Sequence, residues 1–112
     1  MNISSDVTYI QVVTTTALRE EAERIARELV EAHLAACAQI VGPIISTYRW
    51  QGKIETCEEW QCWAKTRGEL FARVEEAIRR IHPYEVPEIL AVPVVAGSSR
   101  YLAWLDAETA SS

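Results

Sequence analysis

Histidine is almost missing from this chain, with His33 and His82 alone among 112 residues. The cysteines number three, Cys37, Cys57 and Cys62, and no two of them form a C-x-x-C pair. That number and spacing exclude a disulfide framework and a closed structural zinc site, so reduced thiols are expected. Glycine and proline occur four times each and gather nowhere, which excludes linkers and low-complexity segments. No apolar run approaches the ~20 residues that cross a bilayer, and no basic, apolar leader opens the sequence. Lys and Arg total 11 against 16 Asp and Glu, a formal net charge of -5. The basic residues do not cluster, which disfavours a nucleic-acid partner. A soluble, cytoplasmic protein without nucleic-acid or membrane partners is the expectation.

What is present is ordinary globular chemistry, 49% hydrophobic and 24% charged, enough for one domain spanning residues 1–112. VTYIQVVT (7 to 14) is β-branched and unbroken and predicts a strand. Leu18, Ala22, Ile25, Ala26 and Leu29 recur at helical spacing and predict a helix from Leu18 to about Leu34. His33 in its last turn complements the helix dipole and is assigned no function. Residues 36 to 66 contain one sharp turn signal, Gln51 and Gly52, and predict a long hairpin. A two-residue loop there sets Trp50 opposite Lys53, Tyr48 opposite Glu55 and Ser46 opposite Cys57. Cys57 and Cys62 then point to opposite faces and read as packing or surface residues. Thr66 and Glu69 fit a capping box, opening a helix that runs to Ile81. EILAVPVV (88 to 95) predicts a strand, and Gly97, Ser98 and Ser99 cap a short helix from Arg100 to about Ala107. Ala110 to Ser112 read as a frayed end.

This order predicts an α+β fold, a ferredoxin-like βαββαβ sandwich with an extended β2-β3 hairpin and a short C-terminal helix. Its sheet order is 4-1-3-2. Pro43 and Pro93 fall in strands 2 and 4, the edges, where a missing ladder donor is tolerated. Long apolar edges need cover, and one layer of helices covers only one sheet face. Aromatics crowd the hairpin as Tyr48, Trp50, Trp60 and Trp63, so a homo-oligomer is expected.

IHPYEVPEI (81 to 89) sets His82 before Pro83, which ends the helix and holds Tyr84 and Glu85 in a stiff loop. The plain reading is a partly exposed helix-terminal histidine, whose loss would cost a few tenths of a kcal/mol.

LAACAQI (34 to 40), YRWQGKIE (48 to 55), Lys65 with Thr66, HPYEVPEILAVPV (82 to 94) and YLAWL (101 to 105) together resemble the CutA family of divalent-cation tolerance proteins. The resemblance covers nearly the whole chain. It implies a PII-like homotrimer, a role in tolerance of divalent metals, copper above all, and no defined enzymatic activity. Cys37 and His82 match family positions and are the candidate metal ligands, thiolate with imidazole being a set that suits copper. Trp50, Glu55, Glu59, Lys65 and Tyr84 fall in or beside family motifs and are the candidates for a cleft between subunits. The leading reading is a non-catalytic trimer that binds copper or another divalent cation weakly. The alternative is a PII-like sensor holding a small anionic metabolite at the subunit interface, with Lys65 and Arg49 as counter-charges. An enzyme is disfavoured, since no motif specifies a triad or a closed metal site.

Overall fold

The structure, a computed structural model, describes residues 7–109; the C-terminal residues read above as frayed lie outside them. Four strands and three helices follow in the order β1 (Tyr9–Thr16), α1 (Arg19–Glu31), β2 (Cys37–Trp50), β3 (Lys53–Arg67), α2 (Phe71–Ile81), β4 (Leu90–Pro93) and α3 (Ser99–Glu108). The sheet runs β2-β3-β1-β4, and each neighbouring pair is antiparallel. This is the expected 4-1-3-2 arrangement, with Pro43 and Pro93 on the two edges.

Period-2 alternation explains what each face does. Ile10 and Val12 of β1 pair with Thr66 and Ala64 of β3 and point to the helical side. There Ala22, Ile25 and Leu29 of α1 and Val74 and Ile78 of α2 close over them as one buried core. Residues of the other parity, Val13 and Thr15 among them, point to the opposite face. α3 crosses part of that face: Tyr9 Oη donates to Asp106 Oδ2 at 2.9 Å, and Arg67 Nη2 donates to the Thr109 carbonyl at 2.7 Å. Ser98 caps α3 by accepting the Tyr101 N–H. Val41, Leu90 and Val92 remain exposed on this face.

Several boundaries differ from the sequence reading. α1 stops at Glu31, because His33 takes a left-handed conformation (φ 61°) that turns the Leu34 and Ala35 N–H groups back onto the Leu29 carbonyl. His33 is thus past the helix, and its Nδ1 donates to the Glu108 carbonyl at 3.0 Å. No capping box forms at Thr66 and Glu69. Thr66 pairs with Ile10 inside β3, fully buried, and a 3-10 turn (Gly68–Leu70) leads into α2 instead. Glu69 forms an ion pair with Arg67 at 2.8 Å.

The long hairpin holds its register from the turn down to Ile44, where a bulge between Val41 and Ile44 shifts it. Gly42 sits in that bulge against the Trp60 ring, whose centroid lies 5.6 Å from the Arg19 guanidinium. A Cβ on Gly42 would lie 2.6 Å from Trp60 Cε3 and 3.3 Å from the Trp60 backbone. Gly42→Ala is therefore expected to destabilise the fold by about 1–3 kcal/mol, the range for forced overpacking. Urea unfolding checks this, and an unchanged midpoint would mean that the indole moves aside freely.

Candidate functional site

α2 ends where Pro83 forbids its continuation, leaving His82 extended (φ -76°, ψ 132°). The imidazole turns inward. It is only 8% exposed, where the sequence reading placed it partly in solvent. Nδ1 accepts the Tyr84 N–H at 3.1 Å, and Nε2 donates to the Thr15 carbonyl at 2.7 Å. An N–H only donates and a carbonyl only accepts, so the ring is the neutral Nε2–H tautomer with both nitrogens engaged. His82 thereby ties the loop after α2 to the end of β1.

The tie delivers Tyr84 to β3. Tyr84 Oη donates to Glu59 Oε2 at 2.6 Å. Glu59 is 6% exposed, which is unusual for a carboxylate. Burial first, and then the bond to Glu59, hold the Tyr84 phenol well above its ordinary range. Glu88 follows four residues later, its carboxyl raised by partial burial and by the Glu59 charge. Cys57 precedes Glu59 by two residues on the same face, and its Sγ lies 3.6 Å from Tyr48 Oη. That contact is the main cause that raises Tyr48, with the Glu59 and Glu55 charges adding to it.

Around Tyr48, Glu59, Tyr84 and Glu88 lies a cleft of about 620 Å³. β1 contributes Thr15, β2 contributes Ser46, Thr47, Tyr48 and Trp50, β3 contributes Glu59, and the loop contributes residues 84 to 88. Three glutamates, Glu59, Glu85 and Glu88, line it, and no lysine or arginine does.

Of the residues singled out from sequence, Trp50, Glu59 and Tyr84 meet in this cleft. Glu55 pairs with Tyr48 at its margin. Lys65 does not reach it, because Lys65 pairs with Gln11 at the other end of the sheet and donates to Gln39 Oε1 at 2.8 Å. Arg49 has the opposite parity to Tyr48 and Trp50 and faces away. Both counter-charges expected for an anionic metabolite are thus absent from the cleft. Cys37 also lies at the far end, opposite Lys65 and near Tyr101 of α3. The levels of Cys37 and His82 are marked on β1 by Gln11 and Thr15, four residues or ~13 Å apart. The chain therefore does not bring Cys37 and His82 to one site. Among the described residues, no three His, Cys, Asp or Glu side chains converge as a metal centre. The sequence reading gave no site role to Thr15 or Glu88 and took Cys57 for a packing or surface residue. The shared parity of Cys57 and Glu59 was the available signal for one of them.

The CutA1 divalent ion tolerance protein family model matches residues 10–108. A divalent-cation tolerance protein CutA from Thermus thermophilus is 42% identical over 98 residues, covering 88% of this chain and 95% of its own. The crystal structure of CutA from Xylella fastidiosa superposes with a TM-score of 0.88 at 38% identity, covering 92% of this chain and 99% of that one. CutA1 from Oryza sativa gives a TM-score of 0.90 at 38% identity, covering 95% and 97%. Fold, motif order and extent agree, and the chain belongs to the CutA1 divalent ion tolerance protein family.

Proposed function

We propose that this protein works in divalent-cation tolerance as a non-catalytic, PII-like homotrimer that binds copper or another divalent ion weakly in the acidic cleft. The observation that carries this reading is the sign of the cleft, three glutamates without a lysine or arginine. Glu59 and Glu88 supply oxygen donors from the cleft lining, and Cys57, outside that lining on the same strand face as Glu59, is the soft donor that copper would have to draw in, since no three such groups among the described residues already converge. A strand places Cys57 and Glu59 ~7 Å apart on one face. The remaining coordination positions fall to water or to a neighbouring subunit, which is why affinity is weak. The trimer is supported by the apolar residues that α3 leaves uncovered on the sheet, Val41, Leu90 and Val92. The non-catalytic reading is supported by the contact of Cys57 with a tyrosine, not with a base, and by the engagement of both His82 nitrogens. Three free thiols fit a reducing, cytoplasmic location.

Calorimetric titration with copper tests the site. Glu59→Gln and Cys57→Ala are each expected to weaken binding by about tenfold, or ~1.4 kcal/mol, and Cys37→Ala is expected to leave it unchanged. Loss of copper on Cys37→Ala alone, with the other two intact, would move the site to the far end of the sheet.

A further inference from the structure

The cleft offers more than a bare cation uses. Its volume of about 620 Å³ falls within the ~300–1,000 Å³ of small-molecule sites. It is also long. Ile44 lies opposite Glu59, and Tyr48 and Trp50 follow it on the same face, four and six residues along β2. At ~3.4 Å per residue the cleft extends roughly 20 Å from Glu59 to Trp50. Glu59 and Glu88 stand near each other, Val86 and Pro87 give the cleft an apolar wall, and its aromatic side chains are Tyr84 beside Glu59, then Tyr48, with Trp50 further along β2. A metal ion leaves the apolar and aromatic walls unused. An ammonium group uses them, because the negative face of an aromatic ring attracts an organic cation and the methylenes beside the charge bury against apolar surface.

We propose that the cleft binds an elongated organic cation, an alkylammonium or a polyamine, with one ammonium between Glu59 and Glu88 and its carbon chain running past Val86, Pro87 and Tyr48 toward Trp50. Burial raises Tyr84 and Glu88 and the contact with Cys57 raises Tyr48, and in all three the Glu59 charge adds a smaller push in the same direction. The inference goes beyond divalent-ion binding, although both ligands draw on the same carboxylates and would compete for them.

Calorimetry of the whole protein with hexylammonium, spermidine and hexanoate tests it. Hexylammonium and spermidine are expected to bind, and hexanoate, of the same length and opposite charge, is not. Glu88→Gln and Trp50→Ala are each expected to weaken hexylammonium by about tenfold. Glu76→Gln, on α2 and away from the cleft, is the control and is expected to change nothing. Tighter binding of spermidine identifies a polyamine site, and tighter binding of hexylammonium identifies an amphiphilic amine site. Equal binding of hexanoate, no binding of either amine at millimolar concentration, or equal effects of Glu88→Gln and Glu76→Gln would each overturn the proposal. Copper titration of the same samples separates the two readings: copper without amines sinks this one alone, and amines without copper sink the divalent-ion reading alone.

Discussion

His82→Ala is expected to destabilise the protein by about 2–4 kcal/mol, far more than a helix-terminal histidine in solvent would. The substitution removes the acceptor for the Tyr84 N–H and the donor to the Thr15 carbonyl. Each buried group left without a partner costs about 1–3 kcal/mol. His82→Asn separates the two bonds, since an asparagine oxygen accepts the N–H two residues on but does not reach across to β1. Its loss is expected to be roughly half as large. Urea unfolding with a fixed slope is the measurement. A variant that keeps its stability and loses copper would instead place the imidazole in a metal shell.

The same histidine shows what a sequence does and does not display. Pro83 fixes the backbone of His82, and the structure agrees with that local inference. Whether the ring then points out or in depends on Thr15, a residue 67 positions away, and nothing local records it. The cleft has the same character. Thr15, Glu59 and Glu88 come from three separate segments, and only the sheet order makes them neighbours.

Where periodicity acts alone, the reading held. Gln51 and Gly52 both take positive φ, 51° and 81°, so a two-residue turn sets Trp50 against Lys53, Tyr48 against Glu55 and Ser46 against Cys57 as expected. Thr66 and Glu69 failed as a cap because strand pairing competes with capping: β1 runs far enough to draw Thr66 and Arg67 into β3. There tertiary pairing outweighs a local motif worth about 1 kcal/mol. Cys62 reads from sequence as a packing or surface residue, and it is the first of these: buried in the core, its thiol is pushed up to about 12 by burial, which removes thiolate chemistry at neutral pH.

Ile54→Asp is expected to abolish assembly at micromolar concentration. Ile54 is 60% exposed and Ile45 72% exposed in the single chain, both on the hairpin and on the face opposite the cleft. No element among the described residues covers them, and apolar residues exposed on so long a hairpin are where the proposed trimer would make contact. Within an isolated subunit, a change at so exposed a position alters stability by ~0.5 kcal/mol or less. A large effect therefore has to come through contact between subunits. Burying one isoleucine contributes about 1.5–3 kcal/mol, and an unpaired carboxylate in its place costs several more. In the proposed trimer, symmetry repeats that change in all three copies. Since subunit contacts and folding are linked, the melting temperature should fall with dilution as well. Light scattering decides: wild type at three times the 12.6 kDa chain and the variant at one chain mass is the expected result. A variant that stays trimeric would put Ile54 outside the interface, and a monomeric wild type would remove the trimer altogether.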